Sequence, residues 1–239
     1  MSLKDKRIVV IGGSSGIGLA VARGAAAQGG KVHIAGRDAH KLTAAAQDIP
    51  GIITEVLDIR DENQVADFFE HIGTFDHLVV TAAAPIGASP LVIQDFSALH
   101  DAMDSKLYGS LLAAKYAAPR IRGGGSIGFT SGMLARKPTI NALAKTLINA
   151  ALEAAVRQLA KELAPLRFYA VSPGLVDTPS WAHLDENSRA AVFDKLSSTL
   201  PVGFVASPDD TAAAYLFAMQ ARALTGTVID LDSGALIAG

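Results

Sequence analysis

Three groups of residues in this chain have types and spacing suited to chemistry. The first is VVIGGSSGIGLAVA, where Gly12, Gly16 and Gly18 follow an apolar strand-like run and lead into a helix-like one. Glycines in this order permit a tight turn, close approach of main chain to a diphosphate, and close packing of helix on strand. Ser14, Ser15 and Ile17 complete that loop, and the amides and dipole of the following helix would receive the phosphates. The second is Ser131, in SIGFTSG; no GxSxG motif surrounds it, so a hydrolase triad is not expected. The third is LAKTLIN, Leu143 to Asn149, whose one titratable side chain is Lys145. A lysine can donate a proton, but its ordinary pKa of about 10.4 means it needs burial or a nearby cation to work near neutrality. The plain alternative is a solvated Lys145.

The elements that must position these groups follow from the patterning. RIVVIGG, KVHIAGR, GIITEVLDI, FDHLVVTAAA, SIGFTSG, RFYAVSPG and GTVIDLDSG are short apolar runs, as expected of strands buried on both faces. Helical stretches separate them: GLAVARGAAAQG, DAHKLTAAAQ, DENQVADFFEHI, FSALHDAMDSKLYGSLLAAKYAA and the segment from Thr139 to Ala164. Asp38, Asp61 and Ser97 sit near helix starts, and Asp209 and Asp210 read as another. The alternation predicts a single doubly wound, Rossmann-type α/β domain over residues 1–239, with a parallel seven-stranded sheet and helices on both faces. One segment breaks the pattern, WAHLDENSRAAVFDKLSSTLPVG. Residues 181–203 read either as a substrate lid or as a surface excursion, and Trp181 either as a closing side chain or as a packing anchor.

Composition narrows the function. With half the residues hydrophobic and a formal net charge of -2, the chain offers no electrostatic case for nucleic acid or an anionic membrane. No apolar run approaches the roughly 20 residues of a membrane span. There are no cysteines, and the six histidines lack ligand spacing, so no metal site is expected. A cytoplasmic protein acting on a small molecule fits these features.

The second strand ends in GRD. Arg37 there could pair with a ribose 2′-phosphate, which favours NADP over NAD; alternatively it is solvated and Asp38 caps the helix. Asp58, at the end of LDI, could accept from the adenine amine or close a turn.

Together GGSSGIG, LDI, SIGFTSG, LAKELAP, AVSPGLVDTP and LTGTVIDLDSG resemble the short-chain dehydrogenase/reductase family over nearly the whole chain. The resemblance implies an NAD(P)-dependent oxidoreductase acting on a small carbonyl or alcohol. It gives Val176 and Thr178 the nicotinamide carboxamide, with Pro173 and Gly174 shaping the turn, and it implies a homodimer or homotetramer. The Ala-rich face around Ala150, Ala151, Ala154 and Ala155 would permit close helix contact, and SGALIAG would be buried at an interface or within the chain.

The family's catalytic set is a Ser, a Tyr, a Lys four residues after the Tyr, and an Asn from the preceding long helix. Ser131 matches the Ser, where it would polarise the substrate oxygen. Alignment back from LAKELAP puts Lys145 at the Tyr position and Asn149 at the Lys position, while DSKLYG puts Lys106 at the Asn position. The strand that normally ends in NNAG ends in TAAA, with Ala82 beside the cofactor. None of Tyr108, Tyr116, Tyr169 and Tyr215 is followed by Lys four residues on. The Asn and Lys thus look exchanged: Lys106 would fill the ammonium's volume and Asn149 would hold a ribose hydroxyl. Lys145 or a water would supply the proton. The competing reading is a cofactor-binding sensor or scaffold that has lost the chemistry.

Overall fold

In the computed structural model, which describes residues 2–182 and 184–238, seven parallel strands form one sheet. They are β1 (Arg7–Ile11), β2 (Lys31–Gly36), β3 (Ile53–Val56), β4 (Phe75–Val80), β5 (Ile121–Thr130), β6 (Arg167–Pro173) and β7 (Thr227–Leu231). Their order is β3-β2-β1-β4-β5-β6-β7. Because β1 lies between β2 and β4, successive crossovers leave in opposite directions there and open a crevice at the carboxyl ends of the strands.

The helices are α1 (Gly16–Ala27), α2 (Ala39–Asp48), α3 (Glu62–Ile72), α4 (Phe96–Met103), α5 (Gly109–Ala117), α6 (Leu143–Glu162), α7 (Glu186–Ser197) and α8 (Pro208–Gln220). One face of the sheet packs on Val65, Phe68 and Phe69 of α3, Ala113 and Ala114 of α5, and Ile148, Leu152 and Val156 of α6. The other packs on Val21 and Ala25 of α1, Leu42 of α2, and Ala212, Tyr215 and Met219 of α8. Each large side chain buried in these two layers contributes on the order of 1.5–3 kcal/mol. Burial on both faces explains the continuous apolar runs of β1 and β4. The pattern fails at the edge strand β3, where Ile53 and Val56 are more than half exposed.

Local chemistry sets the boundaries. Asp38 and Asp61 each accept from two amides of the helix they precede. Ser97 does not start α4: Asp95 does, accepting from the Ser97 amide and hydroxyl, because a carboxylate two residues upstream reaches the free amides better than a hydroxyl inside the first turn. Asp209 and Asp210 do open a helix, with Ser207 and Asp210 capping each other reciprocally. The expected helix from Phe96 to Ala118 is interrupted by a π-helical turn, Asp104–Tyr108, which carries Lys106. Within that turn the Lys106 carbonyl accepts from the Ser110 hydroxyl (2.6 Å). The helix expected from Thr139 starts at Leu143, since Asn141 sits at φ +65°, outside helical geometry.

Candidate functional site

The glycine loop joins β1 to α1 at the crevice. Gly12 has φ +88°, and a Cβ there would lie 2.6 Å from the Ala82 nitrogen at the end of β4. A Cβ on Gly18 would lie 2.2 Å from the Gly12 carbonyl oxygen. The first glycine permits the turn and the third lets helix meet strand, which leaves the N-terminal residues of α1 bordering the crevice. A cleft of about 1020 Å³ spans this region and is lined by Gly12, Ser14, Ser15, Gly16, Ile17 and Gly18. Arg37, Asp38 and Lys41 border it at the end of β2, and Ala82, Ser105, Thr130 and Thr178 at the other side. The volume, the lining glycines and the bordering cations suit a dinucleotide.

Asp58 does not line this cleft, although its neighbours Leu57 and Ile59 do. Its carboxylate is taken by the Arg60 side chain and main-chain amide, closing a turn. The Arg60 hydrogen bond holds that carboxyl below its usual range. Pro173 ends β6 beside Leu231, and the Gly174 amide donates to the Leu231 carbonyl (3.1 Å). Val176 is buried, and its carbonyl accepts from the Trp181 indole (3.0 Å). Trp181 also stacks edge-on against Phe193 of α7 (5.3 Å), while Arg189 pairs with Asp177. Trp181 thus ties α7 to the loop after β6. Within the 181–203 segment, His183 lies outside the described residues.

Past the cleft floor, the π-turn and α6 bring three of the anticipated side chains together. Lys106 Nζ donates to Asn149 Oδ1 (2.6 Å) and to the Ser131 carbonyl (3.1 Å). Desolvation, with the charge of Lys145 as a second cause, pushes the Lys106 pKa down to about 8. Lys145 stands half-buried in the first turn of α6. Ser131 differs from expectation. Its hydroxyl donates to Glu153 Oε1 (2.9 Å) and lies 3.3 Å from the Asn149 carbonyl, so its proton is committed to the protein. Glu153, only 5% exposed, is paired with Arg136 (Nε to Oε2, 3.3 Å), which also reaches Ser172 and Asp230.

The family model described as enoyl-(acyl carrier protein) reductase matches residues 11–235. The chain is 31% identical over 255 residues to "Short-chain dehydrogenase/reductase ATR9" of Stachybotrys chlorohalonatus, covering 99% of each chain. It is 31% identical to "Carbonyl reductase family member 4" of Danio rerio, covering 95% of this chain and 96% of that one. A crystal structure of a small-chain dehydrogenase in complex with NADPH is 41% identical, covers 98% and 100% of the two chains, and superposes with a TM-score of 0.83. The chain belongs to the short-chain dehydrogenase/reductase family.

The four tyrosines lie away from this cleft. Tyr169 and Tyr215 are wholly buried in the core, where burial raises both phenols. Tyr116 donates to Glu62 (2.8 Å), Tyr108 is exposed, and no tyrosine lines the cleft among the described residues. Sequence reasoning missed Glu153 and Arg136. A signal existed: Asn149, Leu152, Glu153 and Val156 share the buried face of α6, so a carboxylate stands where apolar side chains belong. The anticipated alanine face is graded, with Ala150 and Ala154 exposed and Ala151 and Ala155 half-buried. In the C-terminal SGALIAG, Ala235 is buried in the chain and its carbonyl accepts from Lys137 (2.6 Å), whereas Ile237 is exposed.

Proposed function

We propose that the chain is an NADP(H)-dependent oxidoreductase acting on a small carbonyl or alcohol, with Lys106 and Asn149 in exchanged roles. The observation that carries this reading is the 2.6 Å hydrogen bond from Lys106 Nζ to Asn149 Oδ1 beside a dinucleotide-sized cleft. In it, the amides of the Gly12–Gly18 loop bind the diphosphate, with Ser14, Ser15 and Ile17 around it. Arg37 meets the 2′-phosphate, and Lys41 stands on the same border. Ala82 and Thr178 line the nicotinamide side, and Val176 keeps its amide for the carboxamide because only its carbonyl is taken by Trp181.

The cofactor supplies or accepts hydride when bound. The chain's residues orient and move protons. The amide nitrogen of Asn149 remains to donate to a ribose hydroxyl, since its oxygen is held by Lys106. Two of the three Lys106 N–H bonds are used, and the third can hold a water or the substrate oxygen. Lys145 or such a water returns the proton. Ser131 can accept from the hydroxyl of an alcohol substrate, because Glu153 takes its own proton, and the donor to a carbonyl oxygen is then Lys106 or a water. A similar structure that holds NADPH supports the phosphorylated cofactor. A homodimer or homotetramer, using the exposed faces of Ala150 and Ala154, accompanies this reading.

The test is a fluorescence titration with NADPH and NADH, followed by a carbonyl and alcohol panel read at the NADPH absorbance band. Arg37→Ala should weaken NADPH about tenfold and leave NADH unchanged. Lys106→Ala and Asn149→Ala should weaken NADPH equally. If wild type binds neither cofactor, the reading fails. If NADPH binds and nothing in a broad panel turns over, the favoured reading becomes a cofactor-binding sensor or scaffold, which the missing tyrosine supports.

A further inference from the structure

Buried charges in proteins are paired, because an isolated one loses hydration with nothing in return. The ammonium of Lys106 is desolvated, yet both groups it touches, Asn149 Oδ1 and the Ser131 carbonyl, are neutral. Glu153 is bound by Arg136 and Ser131, and Asp230 is bound by Arg136. Asp101 and Asp104 are exposed, and among the described residues no carboxylate is paired with Lys106. Lys145 stands four residues before Asn149 on the same face of α6, so its charge bears on the Lys106 ammonium that Asn149 holds. Among the described residues Lys145 has no ion pair or side-chain hydrogen bond, and it stands in the first turn of α6.

That position adds a third positive contribution. Helix N-termini carry about half an elementary positive charge, which acidic residues or a side-chain cap ordinarily balance. The 20-residue α6 has no acidic residue in its first turn, and Ala142 at its N-cap has no side chain to offer. By contrast α2, α3, α4, α7 and α8 all have aspartate or serine caps. An ammonium bonded to Asn149 and Ser131 thus lies about one helical turn from a second ammonium and from an uncapped helix end, and among the described residues no carboxylate pairs with either lysine.

We propose that Lys106, Lys145 and the N-terminus of α6 form a binding site for the carboxylate of an anionic substrate, a small keto or hydroxy acid. This rests on the oxidoreductase reading and names its substrate class. In the reaction, hydride passes between the nicotinamide and the carbon next to that carboxylate. The keto oxygen takes a proton from one lysine on reduction and returns it on oxidation, so the other lysine keeps the carboxylate paired throughout. The positive site also acts on the cofactor. The oxidised nicotinamide ring is a cation and the reduced ring is neutral, so without a carboxylate the site disfavours NADP⁺ relative to NADPH.

The experiment measures NADP⁺ and NADPH affinities by calorimetry for wild type and Lys145→Gln, alone and with pyruvate. Pyruvamide serves as the uncharged control and chloride as the ionic-strength control. Pyruvate is also titrated into the protein without cofactor. Wild type should bind NADPH about tenfold more tightly than NADP⁺. Pyruvate should close most of that gap, and Lys145→Gln should lose both effects. The proposal is overturned if pyruvate does no better than pyruvamide or chloride, or if its effect survives in Lys145→Gln. Should neither cofactor bind, the oxidoreductase reading falls separately, and the cofactor-free pyruvate titration still decides the anion site in the same way.

Discussion

Replacing Lys106 with methionine should change the pH dependence of stability in a direction set by its environment. Folding pulls the Lys106 pKa down from 10.5 to about 8, chiefly by desolvation and secondarily by Lys145. The unfolded chain therefore binds the extra proton over this interval and the folded chain does not. Stability rises with pH wherever the unfolded state holds more protons. Below about pH 8 the full cost of the buried ammonium is present; it is relieved as pH rises toward the unfolded value of 10.5. The whole relief is on the order of 3 kcal/mol, at about 1.36 kcal/mol for each pKa unit. It should amount to about 1.4 kcal/mol by about pH 9, and about 2 kcal/mol half a unit higher.

Methionine keeps the length and apolar stem of Lys106 but has no proton to lose. The stability difference, wild type minus Lys106→Met, should therefore climb by those amounts between neutral and alkaline pH. Taking the difference removes the contributions of other groups that titrate there. Urea denaturation followed by far-ultraviolet circular dichroism, at matched ionic strength, gives the two curves. A difference that stays flat across this range would refute the desolvated-ammonium reasoning, whatever the absolute stabilities. The same titration bears on catalysis. A group that is mostly ammonium at neutral pH and mostly amine above about 8 suits carbonyl reduction below that pH and alcohol oxidation above it.

Gly18→Ala should abolish NADPH binding and cost at least about 1–3 kcal/mol of stability, because its Cβ would sit 2.2 Å from the Gly12 carbonyl oxygen with only backbone to give way; titration and denaturation of the same preparation check both. Glu153→Ala should cost about 1–3 kcal/mol by leaving the buried Ser131 hydroxyl only its long contact with the Asn149 carbonyl and by removing the partner of Arg136; Glu153→Gln, which still offers an acceptor, should recover part of it, and equal losses in the two variants would argue against the hydrogen bond.

The fold class was legible in the chain. Alternating apolar runs and helical stretches call for a sheet buried on both faces, and the seven strands form in the segments so marked, whereas their order comes from the folded chain. The glycine loop was legible for the same local reason: turn, close approach and close packing each demand a residue without a side chain, at Gly12 and Gly18. That α6 holds no tyrosine could also be read directly, and among the described residues no tyrosine lines the cleft.

The pairing of the polar groups was not legible in the same way. Spacing could not tell whether Lys106 and Asn149, 43 residues apart, would meet at 2.6 Å, because that contact depends on a π-turn in one element and the packing of another. Nor could it foresee that Arg60 would occupy Asp58, or that the Ser131 proton would be given to Glu153. Periodicity reports which face of an element is buried. Which polar groups share a buried volume, and so which of them keep a charge, depends on distances between elements that only the folded chain fixes.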